Sequence, residues 1–173
     1  MKKINLPLLS TENLKAGDSI LLTGTIYTAR DAAHKRLCEL IADGKPLPIE
    51  LSHAAIYYAG PCPQKPNQIM NSCGPTSALR MNKYAPILFD RGVQCTIAKG
   101  PVSQEVIDSI IRNKAVYFCA AGGAGALISK CIKSAEVVAF DDLGTESIKK
   151  LHVKDMPVIV GIDAMGNQLF VSK

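Results

Sequence analysis

Tryptophan is absent from this 173-residue chain, and aromatic residues make up only 5% of it. Single-stranded nucleic-acid binding, which relies on aromatic stacking platforms, is disfavoured on that ground. Long basic runs are also missing: lysines and arginines are scattered, in runs no longer than pairs such as Lys2-Lys3 and Lys149-Lys150. No basic stripe for a nucleic-acid backbone is therefore expected. No stretch approaches the roughly 20 apolar residues of a membrane span. The two N-terminal lysines are followed only by Ile4 to Leu9, interrupted by Asn5 and Pro7, which does not make a signal peptide. The six cysteines include no C-x-x-C, so zinc-ribbon and simple ferredoxin-type patterns are excluded. Several sit in apolar stretches such as Val116 to Ala121 and read as buried free thiols. These absences point to a reduced, cytoplasmic protein without a membrane or nucleic-acid partner.

Apolar residues make up 47% and charged residues 20%, ordinary for a soluble fold. The length suits one domain spanning residues 1–173. The net charge of +5 fits either simple solubility or an anionic ligand, and several of the cations fall inside the motifs described below.

Residues 1–18 read as a lead-in, with Leu6 to Leu9 available to dock on a partner. Ser19 to Gly24 is a β-rich run ending at glycine, hence a strand. Ala29 to Ile41 has helical apolar spacing and is ended by Asp43-Gly44. Ala54 to Ala59 reads as a strand, cut by Gly60-Pro61, and Ile69-Met70 as the start of another. Gly74-Pro75 opens a helix extending to Asp90, with a break near Pro86. Gln94 to Ala98 is a strand, Ser103 the N-cap of a helix carrying Val106, Ile107, Ile110 and Ile111, and Ala115 to Ala121 a buried strand. A helix follows Gly122-Gly123. Ala135 to Phe140 is a strand, Thr145 to Leu151 a short helix, Pro157 to Ile162 a strand, and Gln168 to Val171 a last strand. The alternation in the second half predicts an α/β layer fold.

Two segments concentrate chemistry. Thr76 and Arg80 lie four apart on the expected helix, with Thr76 in its first turn. There, free N–H groups and the positive helix end attract anions, and the Arg80 guanidinium meets a carboxylate in bidentate fashion. The plain alternative is a capped helix with a solvated arginine. Arg30 and His34 are also four apart, with Asp31 placed to orient either. His34 is the natural acid–base suspect, although a lone histidine is more often structural. Lys99 ends a strand just before Gly100-Pro101, where ligands sit in α/β sheets, and is otherwise a solvated turn lysine. Gly122 to Ile128 invites a dinucleotide reading, but the third glycine of G-x-G-x-x-G is missing, so a tight turn is preferred.

Taken together, Gly24 to Arg36, Ile56 to Pro61, Gly74 to Met81, Ala98 to Gly100 and Gly122 to Leu127 resemble the β subunit of iron–sulfur-dependent fumarate hydratase and L(+)-tartrate dehydratase. The same unit forms the C-terminal domain of single-chain iron–sulfur fumarases. The resemblance runs from about Leu14 to Phe170. It implies a swivelling β/β/α domain, a mixed sheet with flanking helices, and a hydro-lyase acting on fumarate and malate, or on tartrate. It implies a 4Fe-4S cluster held by a partner α subunit rather than by this chain, within an α2β2 complex. It assigns carboxylate contacts to Arg30, Arg80 and Lys99 and proton transfer to Thr76. The proline-rich loop Pro61 to Asn67, with Cys62, has no place in that pattern. A non-catalytic carboxylate-binding or assembly module is the alternative of a different class.

Overall fold

The computed structural model describes residues 1–170. Its elements are β1 (Lys2–Asn5), β2 (Ser19–Thr28), α1 (Asp31–Ala42), β3 (Ala55–Tyr57), a 3₁₀ helix at Ala78–Met81, α2 (Ala85–Asp90), β4 (Cys95–Ala98) and α3 (Gln104–Arg112). They continue with β5 (Val116–Cys119), α4 (Gly125–Cys131), β6 (Ile132–Ala139), a second 3₁₀ turn at Asp141–Glu146 and the long β7 (Ile148–Ile162). The sheet is mixed, with helices on its flank, which places the chain in the α/β class. Strands β2, β3, β4 and β5 run parallel in that order. β7 then pairs antiparallel with both β5 and β2 and closes a five-stranded barrel. β1 extends β2 and β6 extends β7 outside that ring.

Strand periodicity divides the core in two. Tyr57, Ile97, Phe118, Leu151 and Val160 fill one cluster. Their neighbours Ile56, Tyr58, Ala98 and Tyr117 join Leu37, Leu88, Phe89, Val106 and Ile110 from the helices in the other. The second cluster is the layer beneath α1, α2 and α3, whereas the first gathers residues of the barrel strands with Ile128 of α4.

Five expected elements differ, the one opening at Gly74-Pro75 being described with the site below. β2 does not stop at Gly24 but continues to Thr28. Gly24 has φ +139, and a Cβ there would stand 2.8 Å from the Leu6 side chain. The glycine thus marks a β2–β7 register shift and admits the Leu6 segment. The lead-in is accordingly used within the chain: Leu8 is buried, while Leu9 remains exposed. No strand forms at Ile69-Met70. The expected helix at Thr145 to Leu151 is instead a 3₁₀ turn followed by β7. Ile148, Leu151, Val153 and Met156 are buried there by pairing with β2 and β6. Around Gln168 only an isolated bridge to Ile162 forms, and Val171 lies outside the described residues.

Candidate active site

The carboxyl ends of the parallel strands β2, β3, β4 and β5 point the same way. That end of an α/β sheet is where ligands bind. The segment leaving β2 carries Arg30, which precedes α1 in extended conformation. Its carbonyl accepts the backbone N–H of His34 at 2.9 Å, and His34 Nδ1 lies 2.9 Å from the same oxygen. The Arg30 stem runs past Gly60, just beyond β3: a Cβ at Gly60 would stand 2.8 Å from Arg30 Cδ and 3.0 Å from Nη1. Glycine at 60 is therefore a requirement of close approach.

Thr76 is tied to the same end by its N–H, which donates to Tyr58 O at 2.7 Å. Beyond β4, Lys99 N–H donates to Thr76 O at 3.2 Å and Ala78 N–H donates to Lys99 O at 2.9 Å, so Ser77 and Lys99 form a parallel bridge. The Lys99 stem passes above Gly122, after β5, with Cδ 3.8 Å from the position of a Cβ there. Arg80, on the first 3₁₀ helix, donates from Nε to Asp31 Oδ1 at 3.0 Å.

Asp31 thereby joins the two arginines. Its Oδ2 is 3.8 Å from Arg30 Nε, and Glu146 Oε1 is 3.9 Å from the same nitrogen. These three atoms are buried and make no hydrogen bond. Glu146 arrives on a braced turn. Lys149 Nζ donates to Gly144 O, Thr145 O and Ser147 Oγ, and Arg36 grips Asp142 with two bonds of 2.8 and 2.9 Å. Burial lowers the Lys149 pKa, and its three acceptors leave the ammonium no donor for a ligand.

Of the sequence candidates, Arg30 and Arg80 meet through Asp31, and Thr76 meets Lys99 through the backbone. One expectation is overturned. Thr76 does not open a helix, and Thr76 and Arg80 are not four apart on one helical face. The chain from Cys73 to Thr76 forms no helical turn, because the backbone of Thr76 pairs with Tyr58 and Lys99 and Cys73 N–H donates to Gly125 O, and α2 begins only at Ala85, just before Pro86. No helix N-terminus therefore supports an anion at Thr76. His34 is fully buried, and desolvation lowers its pKa to about 4, only partly opposed by the Arg30 carbonyl and Asp31. It packs edge-on against Tyr58 with ring centroids 4.8 Å apart, as a neutral core histidine rather than a solvent-facing acid or base. Glu146 and Gly60 escaped the sequence reading. Glu146 is 115 residues from Asp31 and carries no local signal. Gly60 had one, as the glycine that cuts a strand beside a motif.

The unplaced loop around Cys62 forms one wall of a cavity of about 360 Å³, together with Thr145 and Lys149. Cys62 N–H donates to Ser72 O at 2.9 Å, which draws the loop beside Cys73. Among the described residues no three His, Cys, Asp or Glu side chains gather as a metal site. Burial pushes the thiols of Cys73 and Cys95 up to about 12, so both rest as neutral thiols. The described residues offer no gathered ligand set for an iron–sulfur cluster.

Residues 2–173 match the model of a family described as the fumarase C-terminus. The chain is 40% identical over 151 residues to the anaerobic class I fumarate hydratase of Escherichia coli (strain K12), covering 86% of this chain and 28% of that protein. It is 35% identical over 156 residues to fumarate hydratase 2 of Leishmania major, covering 89% of this chain and 28% of that protein. It is 34% identical over 165 residues to a putative L(+)-tartrate dehydratase subunit beta of Methanocaldococcus jannaschii, covering 92% of this chain and 85% of that protein. The chain thus spans under a third of the two fumarate hydratases and most of the tartrate dehydratase subunit.

Proposed function

The chain belongs to the fumarase C-terminus family, and from that premise we propose that it is the β subunit of a hydro-lyase interconverting fumarate and (S)-malate. The observation that carries the reading is the convergence of Arg30 and Arg80 on Asp31 at the end of the barrel where Thr76 and Lys99 are paired. A dicarboxylate requires at least two cationic contacts, and Arg30, Arg80 and Lys99 supply them. Cations aimed at a carboxylate also stabilise the charge that develops on it when the neighbouring C–H proton departs.

Thr76 is the proton-transferring group in this reading. Its hydroxyl is a poor base, and no helix end favours its alkoxide, so it acts as a relay, giving its own proton to a base of the assembled complex as it takes the one from carbon. In this reading a 4Fe-4S cluster would be held by the partner α subunit, where it would supply Lewis-acid chemistry. Residues 1–173 act as one domain of the swivelling β/β/α type, closing over that site in a cytoplasmic α2β2 complex. No helix among the described residues is long and apolar enough to cross a membrane.

L(+)-tartrate is the second reading, favoured by the extent of the match to the archaeal tartrate dehydratase subunit. Anaerobic co-expression with the α chain, followed by turnover of fumarate, malate and tartrate, separates the two. Activity in the pair but not in the isolated chain is expected. Robust activity of the chain alone would overturn the split-enzyme reading, and preference for tartrate would replace the substrate.

A further inference from the structure

Resting on the dicarboxylate reading of this site, we propose that Asp31 is a positioning residue: its carboxylate holds Arg80 and Arg30 together and leaves the terminal Nη edge of Arg80 as the fork for a substrate carboxylate. A guanidinium offers a carboxylate two bidentate edges, one including Nε and one formed by the two Nη atoms. Asp31 Oδ1 takes Arg80 Nε at 3.0 Å, and among the described residues no protein acceptor takes Nη1 or Nη2. The side edge is occupied and the end edge is open.

The other limb is unusual for a structural ion pair. Arg30 Nε stands 3.8 Å from Asp31 and 3.9 Å from Glu146, and all three atoms are buried without a hydrogen bond. Arg30 Nε is thus held between the two carboxylates by charge, without a hydrogen bond that ties it to either. The charges matter as well. Asp31 and Glu146 together offset the two guanidiniums, so the arginines sit close together without mutual repulsion before a ligand arrives. Asp31 also lies in the first turn of α1. The Asp142–Arg36 fork and the Lys149 clamp hold the Glu146 side of the network in register with α1.

The competing role is that of an internal stand-in, in which Asp31 occupies the carboxylate position and must be displaced. The two roles move KM in opposite directions. In the reconstituted complex, Asp31→Ala raises KM for fumarate and malate about tenfold with kcat within about threefold, the scale of one charge-assisted hydrogen bond at a half-exposed pair. Asp31→Asn keeps an acceptor for Arg80 Nε–H and restores KM to within about threefold of the parent. A purely structural role would instead lower the thermal midpoint in both variants without this split. An unchanged or lower KM in Asp31→Ala would overturn the proposal.

A second readout is independent of turnover. In the full chain, the Arg80 Nε–H resonance, identified by its loss in Arg80→Lys, exchanges with solvent about tenfold faster in Asp31→Ala but not in Asp31→Asn. Equal exchange in Asp31→Ala and the parent would refute the Asp31–Arg80 link even if the parent complex hydrates no diacid, an outcome that would separately remove the dicarboxylate reading.

Discussion

Gly60→Ala isolates the position of Arg30 from everything else at the site. The new Cβ would lie 2.8 Å from Arg30 Cδ and 3.0 Å from Nη1, but 3.4 Å from Thr145 O. Carbon atoms settle at about 3.5–4.0 Å, so the arginine stem must retreat by roughly 0.7 Å or more. The nearest obstruction is a flexible side chain, and the backbone oxygen is barely touched, so the fold absorbs the change at a cost below about 1 kcal/mol. The guanidinium moves with its stem. Misplacement of a substrate-holding group by about 1 Å costs up to about 10²-fold in rate. The expected result is a 10- to 100-fold fall in kcat/KM of the complex, on the order set by that displacement, with an unchanged urea midpoint. Gly125→Ala is the contrast. There the added Cβ meets the Ser72 hydroxyl and Gly74 N at 3.0 Å, a backbone atom that cannot step aside, so stability falls by about 1–3 kcal/mol. Wild-type kcat/KM in Gly60→Ala, within about twofold by the scale of ordinary surface changes, would refute the placement of Arg30 against substrate.

Further consequences concern stability. His34 has a folded-state pKa of about 4, lowered by burial from 6.5, so the unfolded chain takes up the proton first. Its contribution is complete above pH 6.5, is lost progressively as pH falls toward 4, and amounts to about 3 kcal/mol. Urea midpoints measured across that window should fall for the parent and stay flatter for His34→Gln; parallel slopes would contradict the assignment. Asp163 accepts backbone N–H groups from Ala16, Met165 and Asn167 at 3.2, 3.0 and 3.0 Å. Burial raises its pKa, but these bonds and the Asn167 amide outweigh it and hold the carboxyl below its usual range. Asp163→Ala should cost about 2–3 kcal/mol and Asp163→Asn less, because the amide retains one acceptor oxygen; equal urea midpoints would contradict it.

β3, β4 and β5 were legible because each is a short buried run followed by a breaker, as at Gly60-Pro61 and Gly100-Pro101. Lys99 was legible for the same reason, because it follows the strand Gln94 to Ala98; Arg30 read only as part of a helix start, because the strand before it was ended at Gly24 rather than Thr28. What misled were residues whose local signal is overruled by distant pairing. Gly24 looks like a stop but is a bulge beside Leu6. Gly74-Pro75 looks like a helix start, but Ser77 bridges to Lys99, and the backbone bonds to Tyr58 and Lys99 outweigh the local preference. Ile148 and Leu151 satisfy a helical spacing as well as a strand with a bend, and only the presence of β2 and β6 decides between them. Barrel closure itself, through β7 pairing with β2, has no local signature. For that reason Glu146 could not be joined to Arg30 from sequence.

The account turns on Thr76, and the most direct test is turnover of the reconstituted complex carrying Thr76→Val. This variant keeps the shape and the backbone bonds to Tyr58 and Lys99 and removes only the hydroxyl. A loss in kcat on the order of 10²–10⁴, with the complex still assembled and KM little changed, is the predicted result. Turnover equal to the parent would contradict the account and leave the barrel end as a carboxylate-binding surface without a part in proton transfer.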